Sequence, residues 1–354
     1  MAGELLSLAE QVVGRAQPGE QVEAFVARGT ETEVKVYGGS VEEFTSAQSE
    51  GIGIRVIRGG RTGFAYAATL DASALAEVLA DARDNLGFGS VDEWAGLAEP
   101  DGVAVTPAVL WDDALAATPT ADKIALALDL ERQTLALDPR VRLHDSNYAD
   151  GAGEVAIATS TGIRSTHRSN SCFVSVSTLA DDRGQTQTGF GFAVGRNPGE
   201  LDIARAAADG VHRATRLLGA VKPSSRRLSI VLDPYVAAQF IGILASTLNG
   251  ESVLKGRSLF ANRLGEQVAA PFFTMIDDPT NPLAYTACET DGEGLAARRN
   301  VLVDQGVLRQ FVQSSYSGRR SATASTGNGV RGGFAGTPGC GCLAIQVTPG
   351  TRTP

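Results

Sequence analysis

Only a few residues in this sequence have types and spacings that could do chemistry. Ser252-Val-Leu-Lys255 fits S-x-x-K, in which a lysine can activate a serine, but the companion motifs S-D-N and K-T-G are missing. Asp277-Asp278-Pro279 and Asp291-Gly-Glu293-Gly294 set carboxylates beside turn-forming residues. Such groups can bind a cation or act as acid and base, and they equally start turns, which is the simpler reading. The three histidines, His144, His167 and His212, show no metal-binding spacing. His144-Asp145 could be an oriented base, but adjacency along the chain does not supply the geometry. Cys340-Gly-Cys342 offers two thiols, and the remaining Cys172 and Cys288 are unhelpfully spaced for a tetrahedral site, so small buried apolar side chains are the plainer expectation.

The stretch Gly327-Asn-Gly329-Val-Arg-Gly332 matches G-x-G-x-x-G. A phosphate cradle of that kind needs a strand before it and a helix after it, so that the anion meets a helix N-terminus. The flanks SYSGRRSATA and GFAGTPGCGC are neither. The expectation is an irregular glycine-rich loop with Asn328 and Arg331 as its main side-chain hydrogen-bonding groups. From the residues alone, no nucleophile, base or metal site emerges.

The elements that would hold these residues are legible in outline. A chain of 354 residues suggests two or three domains. Residues 3–16 read as a helix. Val22, Ala24 and Val26, then Val34 and Val36, then Ile52, Ile54 and Val56 alternate as half-buried strands do. Gly59-Gly60 marks a hairpin turn into Thr62, Phe64 and Tyr66, and Asp71 should cap a helix with Leu75, Val78, Leu79, Ala82 and Leu86 on one face. A connector with Pro100, Pro107 and Pro119 leads to a second helix over 120–137, with Thr118 as its cap. Strands around 154–159 and 171–179, a turn at Asp181–Gly184 and a helix ending near Gly219 follow. Thr188-Gly-Phe-Gly-Phe-Ala193 matches Thr62-Gly-Phe-Ala-Tyr-Ala67. An internal duplication explains this, and so do two unrelated hairpin–helix units. Beyond Arg226 the pattern predicts a buried strand at Leu228–Leu232, a buried helix at 235–248, a hairpin over Val301–Val312 and a short strand at Ile345–Val347. The fold class is α+β: two similar segments (1–105 and 106–222), then a β-rich C-terminal domain (223–354).

Composition excludes some roles. The net charge is −9 and no run of Lys or Arg stands out, so no nucleic-acid partner is expected. The longest apolar stretch, Tyr235–Leu248, is interrupted by Gln239 and too short for a bilayer. The N-terminus lacks a basic region and a long apolar core, and four cysteines are too few for a disulfide scaffold. The expectation is a cytoplasmic protein with no membrane association.

Taken in order, Val231-Leu-Asp-Pro234, Lys255-Gly-Arg-Ser258, Leu264-Gly-Glu266, Ile276-Asp-Asp-Pro279, Asp291-Gly-Glu-Gly294 and Ser325–Phe334 resemble the TldD/PmbA family, also described as modulators of DNA gyrase. The resemblance extends over nearly the whole chain and is weakest before residue 30 and through 88–118. It implies a heterodimeric cytoplasmic metalloprotease that handles unfolded or modified peptides in an enclosed chamber. One paralogue, TldD, carries a zinc-binding His-Glu-x-x-x-His, and this sequence has Ile241, Gly242 and Ser246 at those three positions. The resemblance is therefore to the PmbA/TldE paralogue, with no catalytic residue, metal or cofactor of its own and zinc expected only in a TldD-like partner. It marks Gly327, Asn328, Arg331, Gly332, Gly333, Thr337, Pro338 and Gly339 as a signature loop that either lines the peptide chamber or packs the domain. Family members continue past Ala344–Gly350 with a further β-rich stretch, whereas this chain stops at Pro354. A truncated gene product or a fragment, with unpaired strand edges in its last domain, is the corresponding expectation. Two alternatives stay open: a stand-alone peptidase using Ser252/Lys255 or Asp277/Asp278, and a regulatory binder linked to gyrase.

Overall fold

A computed structural model describes residues 2–350. Its centre is one antiparallel sheet to which both N-terminal segments contribute. Helix α1 (Ala2–Val13) precedes β1 (Gln21–Tyr37), β2 (Ser40–Arg58), β3 (Arg61–Ala67) and α2 (Ala72–Asp84). A short helix α3 (Asp113–Ala116) ends the connector. Then α4 (Thr120–Leu137), β4 (Val141–Thr159), β5 (Arg164–Asp182), β6 (Gln185–Gly195) and α5 (Ile203–Thr215) repeat the same order. The strands run β3-β2-β1-β4-β5-β6, so the halves meet back to back at the β1–β4 pair. The sheet therefore crosses the junction expected near residue 105.

The alternation of apolar residues dictates this arrangement. Val22, Ala24 and Val26 of β1 and Ile52, Ile54 and Val56 of β2 pack under α1 and α2. Val34 and Val36 share a second core with Leu130 of α4 and Val174 and Val176 of β5. The opposite face of the sheet receives the odd-numbered residues of β1. The β2–β3 turn is Gly59-Gly60, with φ of +57° and +75°, and the β5–β6 turn is Arg183-Gly184, with φ of +46° and +78°. Both are two-residue turns with both central residues at positive φ, the form that suits the twist of a hairpin.

The repeated Thr-Gly-Phe has a packing reason in both halves. A Cβ at Gly63 would lie 1.9 Å from the Ala82 carbonyl oxygen of α2, and one at Gly189 would lie 2.3 Å from the Gly210 carbonyl oxygen of α5. Only glycine lets each helix sit this close to its strand.

Two cap assignments differ from expectation. Asp71 is the N-cap of α2, but its carboxylate accepts from the Thr69 hydroxyl at 3.0 Å instead of capping. Pro119, not Thr118, is the N-cap of α4, and the Thr118 hydroxyl donates to the Ala114 carbonyl.

The C-terminal part is built of short pieces. Helices α6 (Pro234–Thr247) and α7 (Gly250–Leu254) precede β7 (Met275–Asp277), β8 (Asn300–Asp304), β9 (Val307–Leu308), α8 (Ser315–Arg320), β10 (Gly329–Val330), β11 (Gly339–Cys340) and β12 (Ile345–Val347). The larger sheet is β12-β7-β8-β9, and β10 pairs with β11. The predicted hairpin over Val301–Val312 is present but short on its return side.

Two expectations here are overturned. Leu228–Leu232 forms no strand, and its apolar side chains are exposed, Val231 at 98%. An extended segment becomes a strand only when another supplies hydrogen-bond partners, and no described residue does so. Helix α6 forms where predicted, but Ala245 is its only buried residue. A helix apolar all round is expected to be buried on all sides, and this one is covered on one side only.

Candidate functional site

The signature loop follows α8 and carries the β10–β11 pair within it, and among the described residues no helix follows it that could present an N-terminus to a phosphate. The side chains of Asn328 and Arg331 turn inward. Asn328 is completely buried, and its amide donates to Asp277 Oδ2 at 2.6 Å and to the Gly341 carbonyl at 3.0 Å. Its Oδ1 accepts from Asn300 at 3.0 Å and from the Thr326 hydroxyl at 2.7 Å. Both donors and both lone pairs are used, as a buried amide requires. Asp277 also accepts from the Leu343 and Ala344 backbone amides at 2.9 and 2.6 Å, and burial still pushes its carboxyl above the ordinary range.

The Asp291–Gly294 turn is part of the same anchor. Asp291 accepts from the backbone amides of Gly329 at 2.7 Å, Glu293 at 2.9 Å and Leu295 at 3.0 Å. Burial, with the Glu293 charge beside it, pushes Asp291 up to about 7. Glu293 accepts from the Ser315 amide at 2.7 Å, at the start of α8. These acids form a turn, as expected, but a buried one that ties the loop to its domain.

Arg331 leaves that domain altogether. Its guanidinium pairs with Glu23 of β1 and lies 4.6 Å over the Phe25 ring. The other Glu23 oxygen accepts from Arg55 of β2 at 2.8 Å. The Glu23 and Arg331 side chains are 1% and 2% exposed, so this is a buried triad. Burial alone would raise the Glu23 pKa, but the two arginines outweigh it and hold it below the ordinary carboxylate value. Phe334 completes the join, since a Cβ at Gly53 of β2 would stand 2.1 Å from the Phe334 carbonyl oxygen. Among the remaining signature residues, Gly332 and Thr337 are exposed, Gly333 and Pro338 are half-buried, and Gly339 pairs with Val330. Sequence reasoning named Arg331 and missed Glu23 and Arg55. The available signal was a pair of charges at strand positions flanked by apolar residues.

The other candidates are not brought together. Lys255 pairs with Glu251, and the Ser252 hydroxyl donates to the Ser246 carbonyl at 3.0 Å. Asp278 faces Arg299 at 3.7 Å. His144 is 3.7 Å from Asp145 and largely exposed. Burial lowers the His167 pKa and pushes Cys172 and Cys288 up to about 12, leaving these thiols protonated and unreactive. The Cys340 and Cys342 thiols donate to the Val312 and Ala245 carbonyls. Ile241 of α6 is half-buried, Gly242 is exposed, and the Ser246 hydroxyl donates to the Ile243 carbonyl at 2.7 Å. These three residues do not fit zinc: one is apolar, one has no side chain and the third is a poor ligand.

Two cavities border Tyr285 near the second half of the sheet. A cavity of about 590 Å³ is lined by Pro107, Val109, Trp111, Arg196, Leu283 and Tyr285 among others. Another, of about 340 Å³, also borders Tyr285 and lies over β1, β4 and β5.

Three domain descriptions of one family match successive parts of the chain: PmbA/TldA metallopeptidase domain 1 over residues 22–86, the central domain over 113–218 and the C-terminal domain over 225–354. The chain belongs to the PmbA/TldD family. The metalloprotease PmbA of Escherichia coli O157:H7 is 24% identical over 308 residues, covering 86% of this chain and 68% of the relative. A metalloprotease TldD homolog of Haemophilus influenzae is 26% identical over 317 residues, covering 85% of this chain and 64% of its own length. Among solved structures, TldE from Thermococcus kodakarensis superposes with a TM-score of 0.84 at 21% identity, over 100% of this chain and 79% of that one. A Thermotoga maritima protein described as a candidate modulator of a DNA gyrase superposes with a TM-score of 0.81 at 20% identity, over 99% of this chain and 77% of that one. These structures show the shared fold. The PmbA/TldD chain described here thus spans roughly two thirds of the two curated relatives, and their names do not by themselves assign its activity.

Proposed function

We propose that this chain is a PmbA/TldE-type, non-catalytic subunit of a cytoplasmic TldD–TldE-type metalloprotease complex that processes unfolded or modified peptides. The observation that carries this reading is α6. It presents Ile241, Gly242 and Ser246 where the resemblance places the zinc ligands and the base, and zinc hydrolysis needs a ligand set and a base for the bound water. The zinc would come from a TldD-like paralogue in a heterodimer. Exposed apolar side chains support a partner on this side: Leu228, Ile230, Val231, Val236, Phe240 and Ile243 form a run that a lone subunit would leave in water. The open sheet face would help hold an extended peptide.

The stand-alone alternative loses ground because Lys255 and Ser252 are each engaged elsewhere and Asp277 is locked into the Asn328 network. The gyrase-linked reading rests on the printed description of relatives. No helix among the described residues is long and apolar enough to cross a membrane.

The test is to purify the chain alone and together with a TldD-type paralogue from the same organism, then measure zinc content and cleavage of an unfolded peptide. Alone it should be zinc-free and inactive, and cleavage should appear with the partner. Stoichiometric zinc and cleavage by the chain alone would overturn the proposal.

A further inference from the structure

The smaller cavity beside Tyr285 has a distinctive chemistry. Its floor is made by β1, β4 and β5, with the small residues Ala149, Gly151 and Ser171 leaving room above the backbone. Phe173 and Tyr285 line it and are 40% and 45% exposed. Two carboxylates border it, Glu31 and Glu33. They are two apart on one strand, so they point to the same face about 7 Å from each other. Neither has an ion-pair partner among the described residues. The neighbouring Lys35 is held by Glu42 at 3.0 Å. The third acid at the cavity, Asp150, is neutralised by Lys123 at 2.6 Å. Among the described residues, no lysine, arginine or histidine lines the cavity.

Ring surface beside uncompensated negative charge complements a side chain with an apolar stem and a cationic end. Lysine and arginine lay their stems along apolar surface and place their charge over or beside aromatic rings. We propose that this cavity takes the Lys or Arg side chain of an extended peptide, and so biases the subunit toward basic peptide segments. The inference rests on the peptide-holding role proposed above and names a preference within it. Tyr285 also borders the larger, mostly apolar cavity, so the basic side chain would sit next to an apolar neighbour.

The test uses a fluorescein-labelled Gly/Ser peptide with a central Arg-Arg pair, and the same peptide with Gln-Gln or Glu-Glu. Each is titrated by fluorescence anisotropy with the full chain and with its TldD-type complex. Two partly exposed ion pairs should favour the Arg peptide over the Gln peptide by about tenfold, and added salt should shrink the difference. Glu31→Gln combined with Glu33→Gln should bind the Arg and Gln peptides alike, with wild-type affinity for the Gln peptide and an unchanged melting temperature. Glu31→Lys combined with Glu33→Lys should turn the preference toward the Glu peptide. Equal binding of all three peptides by the wild type, or an unaltered preference in the double variant, overturns the cavity assignment and leaves peptide holding intact. Failure of every peptide to bind, even with the partner present, overturns the peptide role itself.

Discussion

The two halves of the sheet share an element order and differ in what covers them. Counting back six residues from Ile57, the strand partner of Thr62, gives Gly51; counting back six from Leu179, the partner of Thr188, gives Phe173. The first half thus has glycine where the second has an aromatic ring. Phe334 seats on the glycine, and a Cβ there would lie 2.6 Å from its ring. In the second half Phe173, Phe192 and Val194 stay 40 to 44% exposed. The C-terminal domain closes one half and leaves the other open. A repeated fold therefore does not give a repeated site: the repeat makes the frame, and the cover decides which part stays accessible.

The largest expected effect comes from the closed half. Glu23→Gln should cost about 3–5 kcal/mol in chemical denaturation, because it leaves Arg55 and Arg331 buried without their counter-charge. A loss under about 1 kcal/mol would mean the triad is not what joins the domains. Next, Gly53→Ala should cost about 1–3 kcal/mol by forcing Phe334 away, while Ser175→Ala at the matching open position should stay within about 0.5 kcal/mol. Equal effects would remove the asymmetry. Gly63→Ala and Gly189→Ala sharpen the shared part, since both intrude on a helix backbone, and melting curves should show similar losses of about 1–3 kcal/mol in each.

A separate effect is a pH dependence of two signs. Glu23 has a lowered folded pKa, so its contribution is present above its ordinary value of 4.5 and is lost as the pH falls through the folded value. Asp291 is raised from 3.8 to about 7, so the folded state binds the extra proton and stability falls as the pH rises through that window. Denaturation midpoints measured across it should flatten in Asp291→Asn. An unchanged slope would show that Asp291 stays ionised among its three amide donors.

Much of the frame was legible because period-two alternation and glycine turns are local. The hairpins at Gly59-Gly60 and at Arg183-Gly184, the stripe on α2 and the Thr-Gly-Phe repeat all follow from residues close together in the chain. Leu228–Leu232 misled for the same reason. Its composition is that of a buried strand, yet burial and pairing depend on residues far away. The signature loop named Asn328 and Arg331 but not what they bind. Asp277 lies 51 residues from Asn328 and Glu23 lies 308 from Arg331, separations over which sequence pattern carries no register.

By itself, then, the sequence determined most of the strand and helix order of the first two segments, the repeated Thr-Gly-Phe, the family and the lack of zinc-ligating side chains at residues 241, 242 and 246. Only the tertiary structure decided that β1 and β4 join the halves, that Arg331 crosses to Glu23, and that Glu31 and Glu33 have no ion-pair partner among the described residues. Alternation and turn preference act between neighbours and are written into local residue types. Closure, burial of charge and cavity shape depend on which distant surfaces meet, and folding alone brings those together.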